Sequence, residues 1–362
     1  MLAILVVVES GLVQRGTGLN SALGWLWSTC GRMASEGSRE CQVLCLGDSQ
    51  VKHGMVAQVL EDRLGLRTMN LAFSGGQSST SYFQLRRVLD SGGRPSAVIV
   101  DFYPVLLSHG LEENTHRWAQ YLSTRECFDL ARSARDAHLF AWVMAGRLVP
   151  SIRYRQGLRE LIAARLKGEQ PGPSDLIHLL KRNAWSNKGT LVFEKNPKCW
   201  MPDDMDAWVR DGFLRDRVGN EINMAYLGRF LQLAAEHRIP VFWVVPPDHP
   251  KIEARKDLEG INGRYTGLLE KALKKYPNLT VLDARHSNYP ANVFYDHSHL
   301  DREGATTLSA DVASQVHRHL ADGPAERLIM LPDYRTIAPR VPMEDTRESG
   351  VALRDIATRT RR

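Results

Sequence analysis

Apolar and polar positions along the chain alternate between two periods. An apolar run at Val43–Leu46, a short strand-like segment at Thr68–Leu71 and a β-branched run at Ala97–Phe102 are separated by stretches of helical spacing, Met55–Leu64 and Ser79–Leu89. This rhythm predicts a βαβαβ unit with parallel strands and right-handed crossovers, whose ligand sites lie at the carboxyl ends of the strands. The same rhythm returns with a strand at Val241–Val245, a helix near Ile261–Lys274, a strand at Thr280–Leu282 and a final helix from Arg302 to about His319. The expectation is an α/β protein with five strands.

Between the two halves, about residues 110–225, the rhythm breaks. Helical patterns rich in Arg and Trp, Thr124–Leu148 and Ile152–Leu166, predict a helical insertion after the third strand of a domain covering residues 36–322. Beyond Gly323 the chain is polar and carries prolines at 324, 332, 339 and 342, so residues 323–362 are expected to hug the surface or form a flexible tail. Residues 1–35 open on an apolar run, Leu2–Val8, that Glu9 stops, far short of the roughly 20 apolar residues of a spanning helix. No basic segment precedes it, so a cleavable signal is a poor match. Two expectations remain: a short structural or interfacial helix, or the last turns of a membrane anchor. The anchor would put the rest of the chain outside the cytoplasm; without it the chain is expected to be cytoplasmic.

Composition narrows the class. With 362 residues, 43% hydrophobic and 24% charged, the chain is neither a small disulfide scaffold, nor disorder-like, nor a polytopic membrane protein. The 47 Lys+Arg against 41 Asp+Glu are spread without a basic block, which argues against a nucleic-acid partner. Cys30, Cys41, Cys45, Cys127 and Cys199 form an odd set without CxxC spacing, so they read as buried or incidental thiols rather than a zinc site or a complete disulfide framework.

Three segments carry candidate chemistry. The first strand ends in Leu46-Gly47-Asp48-Ser49-Gln50, where a serine at a strand-to-helix turn projects its hydroxyl from the sheet edge with its own N–H toward an incoming carbonyl oxygen. The second ends in Asn70-Leu71-Ala72-Phe73-Ser74-Gly75-Gly76, whose glycines permit close backbone approach to a ligand. The third is Tyr295-Asp296-His297-Ser298-His299-Leu300, just before the last helix. Asp296 and His299 are three apart, so the carboxylate can orient the imidazole that a serine nucleophile needs as its base.

Taken in order, these segments resemble blocks I, II and V of the SGNH, or GDSL-type, hydrolase superfamily, over about residues 41–107 and 240–320. The resemblance implies a flavodoxin-like three-layer α/β/α fold with strand order 2-1-3-4-5. It implies that Ser49 is the nucleophile and first oxyanion donor, that the Gly75 N–H is the second donor, and that Asp296 and His299 complete the triad. Block III departs: the family has G-x-N-D, whose Asn is the third oxyanion donor, and here the strand runs Val98-Ile99-Val100-Asp101-Phe102-Tyr103-Pro104. Losing such a donor costs on the order of 10²–10³ in turnover. Either Tyr103 or a donor from the insertion substitutes, or the enzyme is slow, or two N–H groups suffice. The departure resembles exported relatives acting on cell-surface polysaccharides, some of them O-acetyltransferases working beside a membrane-bound acyl-donor protein.

The implied function is therefore a serine esterase that hydrolyses an acyl, here acetyl, ester of a small molecule or carbohydrate without a cofactor. The alternatives are an O-acyltransferase modifying a polysaccharide and an inactive glycan-binding or assembly protein on the same fold. Asn70, Tyr103 and His297 are the expected substrate-contacting positions, with Asn70 also suited to brace its loop. Gln50 carries no chemistry in this reading, Asp48 braces its turn, and Asp248 and His249 read as rim residues after the fourth strand. Arg153, Arg155 and Arg159 read as a solvated helix face rather than an anion site, and Trp118, Trp142 and Trp185 as core rather than sugar platforms. No metal-binding cluster stands out.

Overall fold

The computed structural model describes residues 22–168, 175–213, 220–323 and 326–360. A single open sheet of six parallel strands runs in the order β2-β1-β3-β4-β5-β6, with β1 Val43–Leu46, β2 Thr68–Asn70, β3 Ala97–Val100, β4 Val241–Val245, β5 Leu279–Asp283 and β6 Leu328–Met330. The expected α/β architecture and the order 2-1-3-4-5 hold. β1, β3, β4 and β5 are buried along their whole length, as expected for parallel strands covered on both faces.

Alternation along the strands sorts the two faces. Val43 and Cys45, Ala97 and Ile99, Phe242 and Val244 pack with Val51, Val56, Leu60, Leu308 and Val312, where the helices Ala57–Leu64 and Arg302–Asp322 meet. On the other face Trp243 stands edge-on to Phe102, which packs on Phe230 of the helix Glu221–Glu236. That helix lies against Ser78–Asp90. Fully burying such large apolar side chains contributes about 1.5–3 kcal/mol each, which is why β1, β3 and β4 are apolar throughout.

The sixth strand comes from the segment expected to hug the surface or form a flexible tail. β6 extends the sheet by pairing with Val281–Asp283, and the following chain is tied down by Tyr334 donating to Glu303 (2.7 Å), by Arg335 on Asp311 (2.6 Å) and by the Thr346 N–H on the Val192 carbonyl (3.0 Å). A C-terminal helix, Thr346–Thr360, ends the described chain, with Glu348 paired to Arg302. Apolar side chains spaced without helical or strand periodicity, Leu331 and Met343 in the core with Ile329, Ile337 and Val341 against it, add to these polar ties, which is why the pattern did not announce them.

The helical insertion divides. Residues 22–32 and 110–181 cluster as one compact unit, and residues 33–109 and 182–360 as the other, which holds the sheet. In the first, Trp27 packs edge-on against Trp118 (5.1 Å), whose indole N–H donates to the Leu111 carbonyl. The single helix expected over 124–148 is two, Thr124–Ala134 and Ala137–Leu148, broken at Arg135 in the left-handed region and restarted by Asp136 as N-cap. Residues 1–21, on which the anchor expectation falls, lie outside the described residues, and no described helix is long and apolar enough to cross a membrane.

Candidate active site

The order 2-1-3 places the topological switch point between β1 and β3, where an open parallel sheet leaves a crevice at its carboxyl edge. Residues 47–49 follow β1 and residues 101–103 follow β3 at that edge. Gly47 adopts φ +124°, and a side chain there would collide with Asp101 Oδ1, so only glycine allows β1 to turn into the helix Ser49–Gly54. Asp48 caps that helix, accepting the Gln50 N–H at 2.7 Å, and Ser49 follows half-buried at its first position.

The second loop is fastened to the first. The Phe73 N–H donates to the Gly47 carbonyl (3.0 Å), and Gly75 sits at φ +73°. Asn70 is fully buried; its amide donates to the Val51 and Met55 carbonyls (both 2.9 Å) and its oxygen accepts the Ala72 N–H. Asn70 is thus the brace between the second loop and the serine helix, and not a substrate contact.

The third segment completes the edge. His299 Nδ1 lies 2.8 Å from Asp296 Oδ2 and 3.0 Å from Oδ1, and Oδ1 also accepts the N–H groups of Ser298 and His299. Burial alone would raise the Asp296 pKa, but these donors hold it well below the usual carboxylate range. Burial alone would lower His299, and the Asp296 hydrogen bond and charge raise it above 6.5 instead. Nδ1 therefore carries its proton toward Asp296, which leaves Nε2 as a lone pair. That Nε2 is buried and has no hydrogen-bond partner, so Ser49 Oγ does not bond to it in this conformation. Catalytic hydrogen bonds of unliganded sites are commonly long and tighten with substrate.

A second imidazole ties the serine helix to the base. His53, one turn beyond Ser49, is buried with its ring 5.1 Å from that of His299 and edge-on to it. It stacks on Phe193 at 4.0 Å, Phe193 stacks on Tyr295 at 4.1 Å, and His53 Nδ1 donates to the Leu191 carbonyl at 2.9 Å. Burial, with the neighbouring His299, pushes its pKa well below the ordinary value, so His53 stays neutral while His299 can take a proton. The helical spacing of Ser49 and His53 is visible in the sequence; the contribution of Leu191 and Phe193 from the end of the insertion is not.

The residues after β3 and β4 form a closed polar network rather than a rim. Asp248 is buried and accepts from Gln50 (2.8 Å), Tyr103 (3.1 Å) and Lys256 (2.9 Å), while Lys256 also reaches Glu253 (3.1 Å). Burial by itself would lower the Lys256 pKa, but the two carboxylates hold it above the ordinary lysine value. Gln50 therefore has a role the sequence did not reveal, fastening the residue after Ser49. Tyr103 directs its hydroxyl to Asp248. His249 caps the helix Pro250–Leu258. His297 stands with its ring against Trp208 (4.4 Å) and Trp200 (5.2 Å), and Trp200 bridges to Asp296 through the backbone.

Of the remaining candidates, Trp118 is core, whereas Trp142 and Trp185 are exposed. Arg153 spends its guanidinium on the Gly146 and Arg147 carbonyls. All five cysteines are free thiols. Among the described residues, Glu253, Asp257 and His286 bring potential metal-ligand atoms within 4.8 Å of one another, but the Glu253 oxygens are already engaged by Lys256 and Asn262.

Residues 28–303 match the family model described as "Protein of unknown function (DUF1574)". The chain belongs to this family. The matched span holds both ends of the site, from the Ser49 turn to the Asp296–His299 loop, whereas β6 and the C-terminal helix lie outside it. No curated protein matches the chain.

Proposed function

We propose that this DUF1574 member is a serine esterase of SGNH type that cleaves a small acyl ester through an acyl-serine intermediate. The observation that carries the reading is the His299 imidazole: one nitrogen is fixed by Asp296 and the other is a buried, unpartnered lone pair at the sheet edge that also holds Ser49. A buried acceptor left without a donor costs about 1–3 kcal/mol, and a serine hydroxyl or substrate proton brought to Nε2 would relieve that cost.

In this reading His299 Nε2 takes the Ser49 hydroxyl proton as Oγ attacks the acyl carbon. The tetrahedral oxyanion is met by the Ser49 and Gly75 N–H groups, and Asp296 offsets the imidazolium charge. His299 then returns the proton to the leaving alkoxide, and water repeats the sequence to release the acid. Two N–H donors carry the oxyanion because Tyr103 is committed to Asp248. An alcohol in place of that water would make the same residues an acyltransferase.

The test is hydrolysis of small acetyl esters by the purified protein and by Ser49→Ala. Hydrolysis abolished by the substitution supports the reading. Absence of hydrolysis with acetyl appearing on an added carbohydrate would assign the transferase instead, and absence of both would leave a non-catalytic protein on this fold.

A further inference from the structure

Beneath Ser49 lie two carboxyl side chains that the triad does not use. Asp101, the first residue after β3, occupies the space a Gly47 side chain would fill, and its Oδ1 accepts the Asp48 N–H at 2.9 Å. Asp48 Oδ1 accepts the Gln50 N–H. The second oxygen of each, Asp48 Oδ2 and Asp101 Oδ2, is buried and meets no N–H or hydroxyl of the protein. Each residue is 2% exposed, out of reach of bulk solvent. Two carboxylates cannot both stay ionised in such a place, because like charges in contact and away from water repel strongly.

We propose that Asp48 and Asp101 share one proton, forming a carboxylic acid–carboxylate clamp that holds the turn carrying Ser49. The proton sits on Asp48 Oδ2 and is donated to Asp101 Oδ2, which satisfies both orphaned oxygens with one bond. Asp101 is then a positioning residue: its other oxygen holds the backbone N–H immediately before Ser49. The titratable groups facing the pair are His299, Tyr103 and Tyr265. Tyr103 and Tyr265 are held neutral by burial, and His299, whose charge when protonated lowers Asp48, is hydrogen-bonded to Asp296 rather than to the pair. Lys256, which lines the same small cavity as Asp101, is paired with Asp248 and Glu253. Burial raises both carboxyl groups, Asp48 the higher because the charge on Asp101 adds to it. The catalytic consequence rests on Ser49 being the nucleophile; the shared proton does not.

Infrared spectroscopy of protein labelled with ¹³C-aspartate tests the shared proton at pH 8, where ordinary carboxyl groups are ionised. A carbonyl stretch of protonated aspartic acid is expected in wild type and in Ser49→Ala, and its loss is expected in Asp101→Asn, whose amide can accept the Asp48 N–H and donate to an ionised Asp48. Hydrogen exchange at the Asp48 amide tests the clamp: slow in wild type and Asp101→Asn, and faster by about tenfold or more in Asp101→Ala. A spectrum that Asp101→Asn leaves unchanged overturns the shared proton, and equal exchange in all three proteins overturns the clamp. Both readouts are independent of turnover. Absence of esterase activity with the stretch and slow exchange present would sink the esterase reading and leave this one standing.

Discussion

His299 and Asp296 meet through one side of the imidazole only: Nδ1 lies 2.8 Å from Asp296 Oδ2, while Nε2 is buried without a partner. In the proposed esterase, the pair also sets when the base is available. His299 is raised above its ordinary 6.5, so below that raised value it is protonated and cannot accept the Ser49 proton. The acid limb of kcat/KM is expected above pH 6.5, with activity growing as pH rises through it. Asp296→Asn removes the interaction that raises His299; the limb should move to lower pH and turnover should fall on the order of 10⁴-fold. Steady-state kinetics across pH 5–9 measures both.

Asn70 predicts a stability effect of a kind a substrate-binding residue would not show. Asn70→Asp turns a donor of two buried hydrogen bonds into an acceptor facing the Val51 and Met55 carbonyls. At about 1–3 kcal/mol for each buried group left unpaired, the loss should reach about 3 kcal/mol or more in urea unfolding. An unchanged midpoint with a raised KM would return Asn70 to the substrate.

The Asp248–Lys256 pair predicts strong non-additivity. Lys256→Met leaves Asp248 buried and uncompensated, which typically costs about 3–5 kcal/mol. Adding Asp248→Asn should recover part of that loss, and a double-mutant cycle by chemical denaturation gives the coupling.

A pH dependence of stability follows from the Asp48–Asp101 clamp. Asp48 is raised above its ordinary 3.8 in the folded state, so its contribution is fully present below that value and is lost as pH rises through the folded one. Asp101→Asn should flatten this slope, making the variant relatively more stable at pH 8 than at pH 4 in paired thermal melts.

The sequence made the sheet legible because parallel strands buried on both faces leave unbroken apolar runs such as Val241–Val245, which matches β4 residue for residue. The site was legible where chemistry coincides with chain direction: Ser49 at the end of β1 and Asp296 three residues from His299. It was not legible where partners come from distant segments. Nothing in the sequence couples His53 to Leu191 and Phe193, or Asp101 to the Asp48 N–H, because those contacts depend on how loops fold back over the sheet edge. β6 escaped because a three-residue edge strand, exposed or half-buried throughout, carries little periodicity.

The most direct measurement is labelling by a fluorophosphonate probe, read by peptide mass spectrometry. The account predicts one adduct, on Ser49, formed in wild type and strongly slowed in His299→Ala. An unlabelled Ser49, or labelling equally fast without His299, would contradict it.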